Sequence, residues 1–246
     1  MATVIEHWVW VIVCPVIAYF IGAIPFSYIV AKRLTGDDLR EIGNKNVGGL
    51  NVMIRSGFNW GIFAGWLDYS KGFVCIIAAL AIPFNDEAIA GVGKYHEISI
   101  HDLIYILVAM AILLGHNYSI YIGFKGGRGM AAIVSFLVIA NPILLLVFVV
   151  SIAIFMVLIK YVRPALFFAI FVGAPIAFFL NFFPPWIVIV GMDSTFTMGL
   201  FVLGIAIVIL PKLLQSFIDM FKGKEYRVGK TGIVLAEENE KDTVKQ

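Results

Sequence analysis

A short polar segment at residues 42–51, the first glycine segment, interrupts a mostly apolar chain and contains three glycines and three asparagines. Glycines allow backbone N–H groups to turn towards a common point, and such a nest of N–H groups binds anions. Lys45 within the segment and Arg55 just after it add positive charge. The composition therefore favours an anion site, although an ordinary polar connection between two helices has the same composition.

The second glycine segment, residues 123–129, reads Gly-Phe-Lys-Gly-Gly-Arg-Gly and lies directly before an apolar run. If a helix begins after it, the free N–H groups of the first helical turn and the helix dipole lie beside the cations Lys125 and Arg128. That arrangement is typical of a phosphate site. It is not a Walker loop, because the Gly-Lys-Ser or Gly-Lys-Thr ending is missing. A basic loop that only fixes membrane topology is the alternative interpretation.

Three further ionisable residues lie within or beside apolar runs. Asp68 and Lys71 are three residues apart, so they share one helix face. Ionisable groups are costly inside a membrane, which makes both functional candidates, and a mutual salt bridge is the alternative. His116 ends an apolar run just before the second glycine segment. Its imidazole either hydrogen-bonds a substrate there or packs against the helix end.

The elements that position these residues are membrane helices. The chain has 246 residues, of which 61% are hydrophobic and 14% charged, and its mean hydropathy is +0.96. A helix needs about 20 mostly apolar residues to cross the hydrocarbon layer, and several such runs follow one another, which excludes an ordinary soluble domain. The first run, residues 7–31, lacks a basic start, so we expect a retained helix and not a cleaved signal peptide. Cys14 and Cys75 fall inside apolar runs, which indicates neither a disulfide nor a metal site.

The distribution of charge predicts the topology. Basic residues cluster in alternate loops, and the loops between them contain mainly acidic residues. By the positive-inside rule the basic loops are cytoplasmic. We therefore predict an all-α integral membrane protein with about seven transmembrane helices, its N-terminus outside and its C-terminus cytoplasmic. The predicted spans lie near residues 8–32, 57–84, 101–122, 129–142, 143–160, 164–183 and 196–221.

The fourth and fifth predicted spans share a run that is short for two full crossings. Asn141-Pro142 at its midpoint predicts a turn, because proline disfavours helix at the preceding residue. We therefore expect a short or re-entrant helical pair. The whole of residues 1–230 is predicted to form one membrane domain, and residues 231–246, where charges alternate, a disordered cytoplasmic tail.

Four groups of residues in this order form a recognisable pattern. They are Gly22-Ala23-Ile24-Pro25-Phe26, the first glycine segment from Gly43 to Asn51, Asp68-Tyr69-Ser70-Lys71-Gly72, and Gly115-His116 followed by the second glycine segment. Together they resemble the acyl-phosphate-dependent glycerol-3-phosphate acyltransferases, the PlsY family. A weaker resemblance returns at Gly223-Lys224-Glu225.

This resemblance implies a seven-span, multi-pass enzyme of the cell inner (plasma) membrane that acts in phospholipid biosynthesis. Such an enzyme transfers an acyl group from acyl phosphate to the 1-hydroxyl of glycerol 3-phosphate, giving lysophosphatidic acid and phosphate. The expected partners are these two substrates and the lipid bilayer, with no cofactor, metal or nucleic acid. Because the donor is already an activated anhydride, positioning and electrostatics would provide most of the catalysis. The sequence predicts neither oligomeric state nor acyl-chain length.

The candidate site consists of residues in the matching motifs. We expect four of them to be catalytic, namely Asn46, Asn51, Lys125 and His116. The candidates for binding substrate phosphate are Gly43, Asn44, Lys45, Gly48, Gly49, Arg55, Asp68, Lys71, Gly126, Gly127, Arg128 and Gly129.

The sequence departs from the family pattern at positions that carry important polar residues. Asn44 stands where the family has serine. Ile54 stands where the family has arginine, and Arg55 comes one position later, which is about 100° of helix rotation. Leu213 and Ser216 stand where the family has histidine and asparagine.

These departures leave three hypotheses. The chain is a divergent but active acyltransferase, or a catalytically inactive family-like protein that binds glycerol phosphate or a phospholipid. The third is a small transporter or channel, in which ionisable residues inside the membrane such as Asp68 and Lys71 would also have a function.

Overall fold

Helices form most of the described chain. The computed structural model describes residues 2–82, 88–91, 97–179, 195–223, 225–229 and 232–235. The helices in these ranges are α1 (Ala2–Ala23), α2 (Phe26–Thr35), α3 (Gly49–Ser56), α4 (Phe58–Leu80), α5 (Ile100–Asn117), α6 (Met130–Ala140), α7 (Pro142–Ile159), α8 (Val162–Phe179) and α9 (Thr195–Phe221), with a short 3-10 helix at Ile120–Ile122. The strands pair as two antiparallel hairpins, β1 (Ala88–Gly91) with β2 (Glu97–Ser99) and β3 (Tyr226–Gly229) with β4 (Gly232–Leu235).

Five helical segments within the described ranges are long and apolar enough to cross a membrane. They are Trp8–Thr35, Phe58–Leu80, Ile100–Ile122, Pro142–Ile159 and Phe196–Phe221. Two shorter apolar helices, Met130–Ala140 and Val162–Ala177, lie at the fourth and sixth predicted spans. The 11 residues of α6 extend only about 16 Å, roughly half of the hydrocarbon thickness. Residues 180–183, the end of the sixth predicted span, lie outside the described residues.

The turn predicted between the fourth and fifth spans is confirmed. Asn141 ends α6 and caps α7, its side-chain oxygen accepting the N–H groups of Ile143 and Leu144 at 3.0 Å each. Pro142 occupies the first helical turn, where a missing N–H group costs nothing. The Asn-Pro pair therefore both stops one helix and starts the next.

The first apolar segment is broken into two helices at Pro25. Proline has no N–H group, and it interrupts the hydrogen-bond ladder between α1 and α2. Inside a membrane the carbonyls released by such a break need partners within the protein. The Lys71 Nζ donates to the Ile24 carbonyl at 2.9 Å, and the Ser119 hydroxyl donates to the Ala23 carbonyl at 2.5 Å. The break thereby joins α1 to α4 and to the end of α5.

Helices α1 and α5 pack at close range through glycine. A Cβ atom on Gly22 would lie 2.7 Å from the Ile112 Cα, and one on Gly115 would lie 2.6 Å from the Ala23 nitrogen. Membrane helices associate through van der Waals packing, and small residues allow their backbones to approach. This contact fixes the end of α5, which carries His116.

Arg40 connects the loop after α2 to the 3-10 helix. Its guanidinium forms an ion pair with Asp38 and donates to the Ile122 carbonyl at 3.0 Å. The hydrogen bond from Arg40 lowers the pKa of Asp38 to about 2. A small apolar cluster that includes Leu39 and Val47 lies beneath the same loop. These contacts hold the two glycine segments beside each other.

The structure describes four residues of the predicted C-terminal tail, residues 231–246. Gly232–Leu235 forms strand β4 and pairs in register with β3. The residues of β4 are uncharged and include Ile233 and Val234, which favour extended structure, and the charged stretch begins only at Glu237. Residues 236–246 lie outside the described chain.

The close glycine contact gives a testable prediction. Gly115→Ala should lower the stability of the folded protein by about 1–3 kcal/mol, because the new methyl group meets backbone of α1 that moves only if the helices separate. The measurement is thermal unfolding in detergent. Gly173→Ala in α8 is the matched control, since a Cβ there meets no heavy atom within 4 Å. Equal midpoints for the two variants would contradict the tight α1–α5 contact.

Candidate active site

A cavity of about 490 Å³ lies where the two glycine segments meet the membrane helices. Its polar lining includes Asp68 of α4, His116 of α5 and Arg128 of the second glycine segment. Its apolar lining comes from α3, α4, α6 and α8, with Trp66 and Leu166 among the side chains. A cavity with both linings suits a ligand that has a charged head and a hydrocarbon chain.

The first glycine segment is shaped around the side chain of Asn51. This residue is fully buried, and its amide nitrogen lies 3.0 to 3.1 Å from the carbonyl oxygens of Leu39, Ile42 and Asn46. Its side-chain oxygen accepts the N–H group of Asn44 at 3.3 Å. Asn51 itself does not line the cavity, whereas Asn44 and Asn46 do. The structure therefore places Asn51 behind the segment, where it fixes the backbone.

Glycine is required at two points of this segment. Gly43 has a φ of +53°, and a Cβ there would overlap the Asn51 side-chain oxygen. Gly49, at the start of α3, lies so close to α4 that a Cβ would be 2.7 Å from the Gly61 carbonyl oxygen. Gly48 and Gly49 both line the cavity, so close packing brings the backbone of the segment to the cavity wall.

The second glycine segment folds back onto the end of α5. The N–H group of Gly126 donates to the Asn117 carbonyl at 3.2 Å, and that of Gly127 donates to the His116 carbonyl at 3.0 Å. A Cβ on Gly127 would overlap the His116 imidazole. These two glycines, which the sequence suggested for phosphate binding, do not line the cavity. Their contacts hold the segment against α5.

Helix α6 begins at the cavity, as the sequence predicted. Gly129 precedes its first residue with a φ of +77°, and no side chain caps the helix there. Gly129, Met130 and Ala131 all line the cavity. The N–H groups of a first helical turn have no partner within the helix, and together with the helix dipole they favour an anion. The neighbouring Arg128 adds a full positive charge.

Below the cavity lies a buried polar network centred on Asp68. Its carboxylate accepts a hydrogen bond from the Ser27 hydroxyl at 2.5 Å and forms an ion pair with Lys71 at 3.1 Å. The His116 Nδ1 lies 3.9 Å from the same carboxylate. Asp68 and His116 line the cavity, but Lys71 does not. The salt bridge considered from the sequence is therefore present, and Lys71 faces Asp68 and the break in the first span.

Three other predicted cations lie away from the cavity. Arg55 is half-exposed and forms an ion pair with Asp37, and that contact lowers the pKa of the Asp37 carboxyl. Lys45 and Lys125 are exposed, and neither lines the cavity. Of the cations predicted to bind phosphate, the structure brings only Arg128 to the cavity wall.

Two charged residues of the cavity lining, Arg163 and Glu225, are not among the predicted site residues. Arg163, in the first turn of α8, donates to the Glu225 carboxylate at 2.9 Å and to the Asn44 carbonyl at 2.8 Å. Both line the cavity. Arg163, beside Lys160, is one of the clustered basic residues that predict the topology, and Glu225 belongs to the weaker motif match. A signal for Glu225 was thus available, and none was for Arg163.

Leu213 and Ser216, which stand where the family pattern has histidine and asparagine, do not take over the roles of those residues in the structure. Leu213 is 2% exposed and lines a separate apolar cavity of about 320 Å³ between α8 and α9. Ser216 is buried, and its hydroxyl donates to the Lys212 carbonyl at 3.1 Å. Neither residue lines the cavity that contains His116, so neither replaces the polar group that the family pattern has there.

Comparison with known proteins identifies similar sequences over most of the chain. The sequence model of a family described as glycerol-3-phosphate acyltransferase matches residues 12–223. A glycerol-3-phosphate acyltransferase of Acholeplasma laidlawii is 39% identical over 135 residues, which are 55% of this chain and 55% of the relative. Glycerol-3-phosphate acyltransferase 2 of Thermotoga maritima is 30% identical over 167 residues, which are 68% of this chain and 77% of the relative. The match to the Acholeplasma protein thus spans about half of its length.

Two solved structures have a similar fold. Both are of PlsY, an integral membrane glycerol 3-phosphate acyltransferase. The glycerol 3-phosphate form has a TM-score of 0.69 and 24% identity, covering 90% of this chain and 96% of that one. The lysophosphatidic acid form has a TM-score of 0.68 and 22% identity, covering 90% and 97%.

The contacts of Asn51 give a testable prediction. Asn51→Asp keeps the shape of the side chain but turns a carboxylate towards the carbonyls of Leu39, Ile42 and Asn46. It should destabilise the folded protein by at least about 2 kcal/mol, because the buried oxygen that replaces the amide nitrogen would face three carbonyl oxygens. The measurements are thermal unfolding and protease cleavage within the first glycine segment. Asn59→Asp, at an exposed position of α4, is the control, and equal stability of both variants would contradict the role of Asn51.

Proposed function

The chain belongs to the glycerol-3-phosphate acyltransferase family, and we propose that it transfers an acyl group from acyl phosphate to glycerol 3-phosphate. The products are lysophosphatidic acid and inorganic phosphate, so the reaction belongs to phospholipid biosynthesis. The observation that carries the proposal is the single cavity lined by residues of both glycine segments on one side and by apolar helices on the other. Such a lining is complementary to phosphate groups and to a hydrocarbon chain.

The reaction forms one C–O bond and breaks another. The hydroxyl oxygen of glycerol 3-phosphate attacks the acyl carbon, the bond from that carbon to the phosphate oxygen breaks, and the hydroxyl proton leaves with a basic oxygen of the departing phosphate or through a cavity side chain. The mixed anhydride is already activated, so the protein needs to hold two anions close together and stabilise the developing charge. Arg128 and the start of α6 are positioned for that task.

We assign different roles to the predicted catalytic residues. Asn46 and His116 line the cavity, and we propose that they hydrogen-bond the substrates there, with His116 near the attacking hydroxyl. Asn51 is a positioning residue, because its side chain binds the backbone of the first glycine segment. Exposed Lys125 and Lys45 attract anionic substrate towards the cavity, since clustered charge raises the local concentration of a counter-ion.

The inactive-protein and transporter hypotheses differ from this proposal in measurable ways. A binding protein would bind glycerol 3-phosphate without releasing phosphate from the acyl donor. A transporter would move labelled solute into vesicles and form no lipid product. The acyltransferase releases phosphate and forms lysophosphatidic acid in equal amounts.

We also propose the finer topology. It has seven spans in one domain over residues 1–230, an external N-terminus, a cytoplasmic C-terminus, and a location in the cell inner (plasma) membrane. The alternation of basic and acidic loops supports this arrangement, as do the apolar helices at the seven predicted segments. Both glycine segments then face the cytoplasm, where glycerol 3-phosphate is available as a soluble substrate.

The reaction is tested with purified protein in detergent or bilayers, supplied with palmitoyl phosphate and glycerol 3-phosphate. We expect both products, and Arg128→Gln should lower kcat/KM by about tenfold to a hundredfold, because a charged hydrogen bond to phosphate is lost. Arg33→Gln, an exposed arginine at the end of α2, is the control and should keep full activity. The proposal would be contradicted if phosphate were released without formation of lysophosphatidic acid, or if neither product formed.

The topology is tested by cysteine labelling in intact cells. Cys14→Ala and Cys75→Ala give a background without cysteines. Into it is introduced either Lys94→Cys, in the predicted external loop between the second and third spans, or Lys45→Cys, in the first glycine segment. A membrane-impermeant maleimide should label Lys94→Cys in intact cells, but Lys45→Cys only after the cells are opened. The reverse pattern would mean that the orientation is inverted.

A further inference from the structure

Arg163 joins three parts of the chain that are far apart in sequence. It lies in the first turn of α8, and its guanidinium binds the Asn44 carbonyl, 119 residues earlier, and the Glu225 carboxylate, 62 residues later. The side chain is 12% exposed and lines the cavity. A planar guanidinium that donates in two directions at once holds both partners in a fixed geometry.

We propose that Arg163 is a positioning residue for glycerol 3-phosphate, fixing the Asn44 peptide and neutralising Glu225 so that the cavity accepts an anion. The inference rests on the proposed acyltransferase function. It deepens that function by assigning a residue outside the matching motifs to substrate binding.

The first part of the argument concerns the backbone at Asn44. Gly43 and Lys45, on either side of Asn44, both have φ near +50°, so the direction of the backbone at Asn44 is tightly defined. Its N–H group donates to Asn51, and its carbonyl accepts from Arg163. A carbonyl oxygen turned into the cavity would repel phosphate. Arg163 binds this oxygen and so keeps it from facing the phosphate.

The second part concerns the charge of Glu225. Its side chain is buried and lines the same cavity as Asn44 and Arg128. A buried carboxylate beside an anion site repels the anion strongly, because the surroundings screen little of its charge. The ion pair with Arg163 at 2.9 Å removes most of that repulsion.

The third part concerns the arginine that is missing just after the first glycine segment. The family arginine is replaced by Ile54, and Arg55 forms its ion pair with Asp37 away from the cavity. Ile54 is 48% exposed and offers no charge in its place. The positive charge that contacts this segment at the cavity wall therefore comes from α8.

The test compares the two partners of the ion pair. In Arg163→Gln, Glu225 loses its ion pair with the guanidinium, and the Kd and KM for glycerol 3-phosphate should rise by about tenfold or more. In Glu225→Gln, the cavity becomes more positive, and the Kd should stay the same or fall. If the ion pair had only a structural role, both variants would bind glycerol 3-phosphate more weakly. A Kd that rises in Arg163→Gln but not in Glu225→Gln is therefore the decisive result. Titration calorimetry gives the Kd, and initial rates give the KM.

Two further variants separate the charge effect from the hydrogen bonds. The double variant Arg163→Gln, Glu225→Gln should recover much of the affinity that Arg163→Gln loses, because the carboxylate that repels the anion is removed together with the guanidinium. Arg163→Lys should bind with intermediate affinity, since it keeps the charge but not the fork that reaches both partners. Arg33→Gln is the matched control, and thermal unfolding checks that each variant is folded.

The outcomes distinguish the role inferred for Arg163 from the proposed acyltransferase function on which it rests. Normal acyl transfer in the wild type, with an Arg163→Gln variant that binds glycerol 3-phosphate as tightly as Arg33→Gln, overturns the inference alone. Equal losses in Arg163→Gln and Glu225→Gln also overturn it. A wild-type protein that neither binds nor acylates glycerol 3-phosphate overturns the proposed function and the inference together.

Discussion

The structure depends on the need to satisfy backbone carbonyls where the first span is broken. Hydrocarbon offers no hydrogen bonds, so the carbonyls freed at Pro25 must be bound by side chains of the protein. Lys71 and Ser119 bind the carbonyls of Ile24 and Ala23. Because a buried ammonium group needs a counter-ion, Asp68 lies beside Lys71. A break in one helix thus brings α4 and the end of α5 to a single point.

The floor of the cavity follows from this arrangement. Asp68, which balances Lys71, also accepts from Ser27 and lies near His116, so two of its neighbours come from helices other than its own. The glycine contacts between α1 and α5 hold His116 at the same level. The two glycine segments then close over the floor, one tied to Asn51 and the other to the carbonyls at the end of α5. The polar chemistry of the site therefore rests on packing within the membrane.

The cavity also explains how a divergent sequence keeps a charged site. The arginine expected just after the first glycine segment is replaced by Ile54, and Arg55 next to it forms an ion pair with Asp37 away from the cavity. Arg163 brings positive charge from α8 to the same segment, and Glu225 comes with it. The charge at a cavity wall depends on where the charged atoms lie and not on which helix or loop carries them. A guanidinium on a different helix thus contacts this segment, and the carboxylate of Glu225 balances its charge.

The sequence by itself determined the helical membrane architecture, the turn at Asn141-Pro142, the helix start after the second glycine segment and the family resemblance. These features depend on hydropathy, charge and residue type within short windows, which is why they could be predicted. Only the tertiary structure decided that Arg128 and Arg163 line the cavity while Lys45, Arg55 and Lys125 do not. It also decided that Asn51 lies behind its segment. The direction of a long side chain is set by partners that are distant in sequence, such as Asn44 and Glu225 for Arg163, and no local pattern contains that information.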